Sequence, residues 1–278
     1  MNDWIEAALL GIVEGLTEFL PVSSTAHIRI AQSLLKQDLA SEYWKMFSVV
    51  IQLGAILAVV VYFWQRLLRF VKTFPRGELG DRQWWNHPLA LVSLSFVVTA
   101  GPCFLIDKTI GERLEDLPVI AVALIVGGIA MWAIDRRYSS RATVLHMEGM
   151  TLRQAMVIGL AQILAAAFPG TSRSMSTIAA GQVMGLSRTA ALEFSFFLSI
   201  PVMFAATGYK LLKYLLESPN AMSSHQWGLL AVGFAVSFVV ALAVIAWFMQ
   251  WVRQHGFLPF AIYRIALGAA LLASIASA

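Results

Sequence analysis

Long apolar runs, broken by short polar clusters, set the rhythm of this chain. Runs near 44–64, 88–106, 117–134, 190–213, 226–250 and 258–276 could each cross a bilayer, which takes about 20 apolar residues of helix. Trp44, Trp64, Trp84, Trp85, Trp132, Trp227 and Trp251 gather at their ends, where an interfacial aromatic belt belongs. Two further apolar runs, 4–20 and 153–168, stop at a proline and a polar cluster: Pro21-Val22-Ser23-Ser24-Thr25 and Pro169-Gly170-Thr171-Ser172-Arg173-Ser174. Helix-compatible pattern resumes at 24–36 and 172–185. Proline ends the first helix of each pair, and Ser or Thr can cap the second. A helix broken by polar residues at membrane depth is tolerated only where protein or water surrounds it. Both segments therefore read as re-entrant helical hairpins.

The two hairpins match each other. Gly11, Pro21 and Ser24 recur as Gly159, Pro169 and Ser172 at an offset of 148, with Leu16 and Leu164 in register. Phe47-Ser48 matches Phe194-Ser195, and Tyr62 matches Tyr209, at an offset of 147. Each half reads as one hairpin plus three spans, and an odd number of crossings inverts the second half relative to the first. Repeats of this kind place their site near the midplane, between broken helices. The expected fold is an all-α integral membrane protein, with six transmembrane helices plus two re-entrant helical hairpins in an inverted-topology internal repeat. It forms a single membrane domain over 1–278, with repeat A at about 1–135, repeat B at about 150–278 and a basic cytoplasmic loop at 135–152.

Charge gives the orientation. Arg66, Arg69, Lys72, Arg76 and Arg82 follow the first span, and Arg136, Arg137, Arg141 and Arg153 join the halves; both loops should be cytoplasmic. The loop near 107–116 holds Asp107, Glu112, Glu115 and Asp116 beside Lys108 and Arg113, and should lie outside. The first hairpin then dips in from the external face and the second from the cytoplasm, although Lys210 and Lys213 fall on the nominal outer side.

Composition narrows the class. Of 278 residues, 59% are hydrophobic and 13% charged, against about 45–50% and about 25% in soluble domains. That excludes a disordered chain, a coiled coil and an ordinary cytosolic enzyme. The one cysteine, Cys103, excludes a disulfide framework and a Cys-based zinc site. A net charge of +4 reports loop topology, not nucleic-acid binding. Met1-Asn2-Asp3 lacks the basic start of a cleaved signal peptide.

Ionisable residues inside apolar segments are costly, so each is a functional candidate. Glu14 and Glu18 lie four apart and share one helix face. Two carboxylates there need a cation, a shared proton, or both; Mg²⁺ or Ca²⁺ bridging to phosphate oxygens would serve. Ser23, Ser24, Thr25 and His27 follow the first proline. His27 sits one turn along from Ser24 and can act as acid, base or nucleophile. The helix starting at Ser24 offers free amide N–H groups and a positive dipole end to an anion. Arg173, between Ser172 and Ser174 at the second tip, needs an anion or a carboxylate, and its planar fork suits phosphate. Thr171, Ser172 and Ser174 add hydroxyls there. This set fits phosphate chemistry better than acyl transfer. Glu193 and Arg264 are intramembrane charges expected to play structural roles, and His87, His146, His225 and His255 fall in loops and should be solvated.

The run Glu14-Gly15-Leu16-Thr17-Glu18-Phe19-Leu20-Pro21-Val22-Ser23-Ser24-Thr25 resembles the signature of bacterial undecaprenyl-diphosphate phosphatases of the BacA type. Pro169-Gly170-Thr171-Ser172-Arg173-Ser174 is similar to that family's second signature. Val50-Ile51-Gln52-Leu53-Gly54, Glu193-Phe194-Ser195-Phe196 and Pro259-Phe260-Ala261-Ile262-Tyr263-Arg264 resemble further family segments. The resemblance implies removal of one phosphate from the C55 lipid carrier diphosphate, which recycles the carrier for peptidoglycan synthesis and confers bacitracin resistance. It implies a divalent cation, a site open to the periplasm in the bacterial inner membrane, and functional residues at Glu14, Glu18, Ser24, His27 and Arg173. The chain departs from the family where Ala26 and Met175 replace glycine and where Ser48 replaces a frequent glutamate.

The expected chemistry is hydrolysis of a lipid phosphoanhydride. Arg173 and two helix N-termini clamp the diphosphate, and Glu14 and Glu18 hold the cation. Either Ser24 attacks, activated by His27, or His27 attacks and Ser24 is a ligand. The expected partners are the lipid substrate and membrane lipids, and the pattern permits a homodimer. Inverted repeats with broken helices are also transporter architecture, so a lipid-carrier flippase is the alternative. An intramembrane Ser-His protease is disfavoured by the carboxylate pair.

Overall fold

The computed structural model describes residues 2–39, 41–77, 80, 83–110, 116–217 and 222–277, with side chains omitted at 107–110. Eleven α-helices run through these residues: α1 (Asp3–Thr17), α2 (Ser24–Leu34), α3 (Glu42–Tyr62), α4 (Trp64–Thr73), α5 (Pro88–Ile110), α6 (Leu117–Tyr138), α7 (Leu152–Ala167), α8 (Arg173–Val183), α9 (Arg188–Glu217), α10 (Ser224–His255) and α11 (Leu258–Ala276). Six of them, α3, α5, α6, α9, α10 and α11, are long and apolar enough to cross a membrane. Val97, Val126, Val239 and Ile262 stand on the outer surface of these helices. In a water-soluble protein such surface would be a liability; against lipid it is the required solvent face. This is a multi-span membrane protein.

Four shorter helices form two pairs, α1–α2 and α7–α8. Helix α1 packs on α10, and α7 packs on α5. Glycine permits both approaches. A Cβ on Gly11 would lie 2.6 Å from the Gly233 carbonyl oxygen, and one on Gly159 would lie 2.7 Å from that of Ser95. Helices α3 and α9 pack together, as do α6 and α11. A large core of Phe63, Phe194, Phe196, Phe197 and Phe248 fills the centre, and a second cluster built on Leu10, Phe47, Ile51 and Leu229 lies beside α1.

Polar links join both helices and connecting segments. Asp135 of α6 accepts hydrogen bonds from Gln182 of α8 (2.8 Å) and from Arg188 of α9 (2.7 and 2.8 Å). Val144 of the connecting segment bridges to Leu186, and the Ser187 amide donates to the Val144 carbonyl.

Three sequence expectations change. The basic stretch after the first span is not a loop: Arg66, Arg69 and Lys72 lie on the amphipathic helix α4, whose Phe70 turns into the core. Arg136 and Arg137 form the last turn of α6, and Arg153 the first of α7. His87 is not solvated; it is 1% exposed, edge-on to Phe70 and Phe74, and its Nδ1 accepts from the Leu89 amide. The aromatic face of α4 covers it. Arg82, Glu112, Arg113 and Glu115, on which part of the orientation argument rests, lie outside the described residues.

Candidate active site

Both helix-pair turns are built alike. Ser23 caps α2 and Ser172 caps α8, each with φ in the left-handed region (75° and 74°). Each cap oxygen accepts from the amide three residues on, Ala26 (3.4 Å) and Met175 (3.3 Å). A left-handed non-glycine residue costs of order 1–3 kcal/mol. Two at matching places mark turns held by their surroundings. The structural equivalent of Ser172 is Ser23, not Ser24, because the second turn is one residue longer between its proline and its cap. Ser24 and Arg173 thus hold the same place, the first residue of the helix, where backbone N–H groups lack intrahelical acceptors.

The two turns touch. Arg173 Nη2 pairs with Glu18 Oε1 at 3.0 Å, and Ser174 Oγ donates to the Leu20 carbonyl at 3.1 Å. Ser24 Oγ donates to the other Glu18 oxygen, Oε2, at 2.5 Å. One carboxylate therefore joins the hydroxyl of one turn to the guanidinium of the other. Arg173 Nη1 donates to the Ser195 carbonyl at 3.3 Å, while its buried Nε has no acceptor. A cavity of about 130 Å³ opens here, lined by Glu18, Ser23, Ser24, Thr25, Gly170, Ser172 and Arg173, with Gln52, Ala165 and Met203.

Glu14 lies one turn below Glu18, fully buried, and neither of its oxygens has a hydrogen-bond partner. It feels the Glu18 carboxylate and the Arg173 guanidinium. A carboxylate with two empty oxygens beside a second carboxylate is a donor set that a hard cation satisfies. No group of three or more His, Cys, Asp or Glu placed to hold a metal occurs among the described residues. A cation here would need substrate or water oxygens to complete its shell, as Mg²⁺ commonly does.

His27 faces elsewhere. Its Nδ1 is 2.7 Å from the Ser23 carbonyl and its Nε2 is 2.7 Å from the Tyr263 hydroxyl; it neither bonds to Ser24 nor lines the cavity. Of the expected hydroxyls, Thr25 lines the cavity, Ser172 shares a hydrogen bond with Ser174 (3.0 Å), and the Thr171 amide closes the second turn onto Phe168.

Arg264 fastens the turns from behind. It is fully buried and donates to the carbonyls of Pro21 (3.0 Å), Gly170 (3.0 Å), Ala123 (3.2 Å) and Leu124 (3.4 Å). Pro21 and Gly170 belong to the two turns, so one side chain of α11 ties both to α6. Glu193 pairs with Arg66 (2.9 Å), which also pairs with Glu148 (2.6 Å). Burial opposes the Arg66 charge, but Glu193 and Glu148 outweigh it and raise its pKa above the usual value. At the positions that depart from the family, Ala26 packs with Ile120 and Leu124, Met175 crowds Gly127, and Ser48 accepts from Gln32 at 3.1 Å. Sequence reasoning assigned no role to Gln52, although a lone polar residue inside an apolar span is a usable signal.

The sequence pattern of the family described as Bacitracin resistance protein BacA matches residues 7–270. The chain is 54% identical to an undecaprenyl-diphosphatase of Koribacter versatilis (strain Ellin345), covering 98% of each chain. It is 42% identical to one of Caldanaerobacter subterraneus subsp. tengcongensis, over 98% of this chain and 96% of that one. It is likewise 42% identical to one of Rhizobium etli (strain CIAT 652), over 97% and 96%. With the match running through both turns and every residue around the cavity, the chain belongs to the bacitracin resistance protein BacA family.

Proposed function

We propose that this protein hydrolyses undecaprenyl diphosphate to undecaprenyl phosphate and inorganic phosphate in the bacterial plasma membrane, recycling the carrier for peptidoglycan synthesis and so giving bacitracin resistance. The observation that carries the reading is the Glu18 carboxylate, hydrogen-bonded on one side to Ser24 and on the other to Arg173. The α1–α2 and α7–α8 pairs act as re-entrant hairpins from opposite leaflets, in an inverted repeat with halves at about 1–135 and 150–278, and the cavity faces the periplasm. The paired packing of α1 on α10 and α7 on α5 supports this arrangement.

In this reading Arg173 and the N-termini of α2 and α8 grip the diphosphate. Glu18 takes the Ser24 proton as Ser24 Oγ attacks the terminal phosphorus, in place of the His27 base expected from the sequence. The Oγ–P bond forms, the bridging P–O bond breaks, and undecaprenyl phosphate leaves with the proton from Glu18. Water then cleaves the phosphoserine, and its proton restores Ser24. Glu14 and Glu18 would hold a divalent cation, Mg²⁺ or Ca²⁺, which when bound supplies charge neutralisation at the phosphate oxygens. Rapid quenching with labelled lipid tests the nucleophile: an acid-stable phosphoenzyme, lost in Ser24→Ala, is expected, whereas an acid-labile one points to His27. Phosphate release in detergent, where no sidedness exists, separates hydrolysis from a flippase.

A further inference from the structure

Three residues line the cavity from outside the two turns: Gln52 of α3, Ala165 of α7 and Met203 of α9. Only Gln52 is polar, and it is the one polar side chain of α3 between Val49 and Val61. A polar group in an apolar span is costly unless a partner or a watered space receives it. The packing of α3 aims it inward. Gly54 of the same helix lies against the Phe234 carbonyl of α10. Gln52, two residues earlier and so about 200° round the helix, takes the opposite side and faces the cavity.

The other polar groups on the cavity wall are already engaged. Ser24 and Arg173 bond to Glu18, Ser23 to the Ala26 amide and Ser172 to the Met175 amide. Among the described residues, the side chains of Gln52 and Thr25 have no hydrogen-bond partner. The Gln52 amide brings two N–H donors and no charge. It can therefore bond to an anion at once, whereas Arg173 must first be drawn from Glu18. In a cavity of about 130 Å³, a diphosphate gripped by the turns has the α3 wall beside it. We propose that Gln52 is a substrate-contact residue, whose Nε2 donates a hydrogen bond to an oxygen of the diphosphate group. The proposal rests on the reading that this cavity receives the diphosphate.

Gln52→Met keeps the length of the side chain and removes its polar atoms; Gln52→Glu keeps the shape and replaces the donors by a charged acceptor. Binding of methylenediphosphonate, whose bridge cannot be hydrolysed, is measured by titration calorimetry at fixed Mg²⁺ beside the unfolding temperature, with Arg173→Ala as the reference. Gln52→Met should weaken binding about 10-fold or more, while the unfolding temperature stays level or rises because methionine suits an apolar span. Gln52→Glu should bind more weakly still. Unchanged affinity in Gln52→Met, where Arg173→Ala is impaired, overturns the proposal and leaves the diphosphate pocket standing. A loss of affinity matched by a fall in unfolding temperature also overturns it, since Gln52 then acts through the fold. So does a Gln52→Glu protein that binds as tightly as the parent. A parent that does not bind the probe, or an Arg173→Ala protein that binds it like the parent, removes the pocket reading, and the proposal with it.

Discussion

Replacing Arg264 by methionine keeps much of the side-chain volume and removes all four of its hydrogen bonds. Hydrogen bonds to a charged group contribute about 1.5–3 kcal/mol each. The two 3.0 Å bonds to Pro21 and Gly170 thus contribute roughly 3–6 kcal/mol, before counting the longer bonds to Ala123 and Leu124. Against this stands the cost of burying a guanidinium that has only carbonyl partners, which methionine abolishes. A net loss of about 3 kcal/mol lowers the unfolding temperature by roughly 6–12 °C for a chain of this size. Activity should fall further than stability, since the two turns would lose their common tie. Gly127→Ala is the companion perturbation: its methyl would meet Arg264 Nη2 and the end of Met175, displacing the guanidinium without deleting it. Thermal unfolding in detergent and phosphate release are measured on both. An Arg264→Met protein with wild-type unfolding temperature and turnover would refute the reasoning.

Glu18→Gln removes the acceptor for the Ser24 proton and the Arg173 ion pair; kcat should drop by about 10²–10⁴, read by phosphate release, and the unfolding temperature should fall as well, because Arg173 loses a buried charge partner. Chelation should abolish turnover and Mg²⁺ restore it, while Glu14→Gln should need more metal for half-maximal rate; activity insensitive to chelator would remove the cation from the reading. Gly11→Val and Gly159→Val should each destabilise by about 1–3 kcal/mol, seen in thermal unfolding, because a Cβ meets a backbone carbonyl at both places. Asp135→Asn leaves Arg188 without its charge partner and should cost about 2 kcal/mol, less than a fully buried pair would because Arg188 is partly exposed, with the KM of the folded fraction unchanged.

The six spans are legible in the sequence because lipid imposes one simple demand, an unbroken apolar helix, and the run at 88–106 coincides with the apolar part of α5. The broken segments are legible for the same reason in reverse, through Pro21 and Pro169. What escapes is anything set by a partner remote in the chain. One of the two contacts that hold the His27 ring is a hydroxyl 236 positions away, and no local spacing encodes it. Arg264 works through peptide carbonyls, which every residue carries and no pattern marks. Arg66, Arg69 and Lys72 read as loop charge because their helix has only one apolar face, and His87 is buried only because that face folds over it. The equivalence of Ser23 with Ser172 is hidden by a single extra residue in the second turn, which shifts the match by one.

A carboxylate resting on Arg173 is also an internal rival for whatever anion arrives. In the proposed reaction, Glu18 keeps the guanidinium from being a bare charge between turnovers, and an incoming phosphate would have to win it over a contact of 3.0 Å. When inorganic phosphate departs, the same carboxylate is at hand to take its place. The pocket thereby gives up some grip on its ligand and in exchange avoids being blocked by its own product.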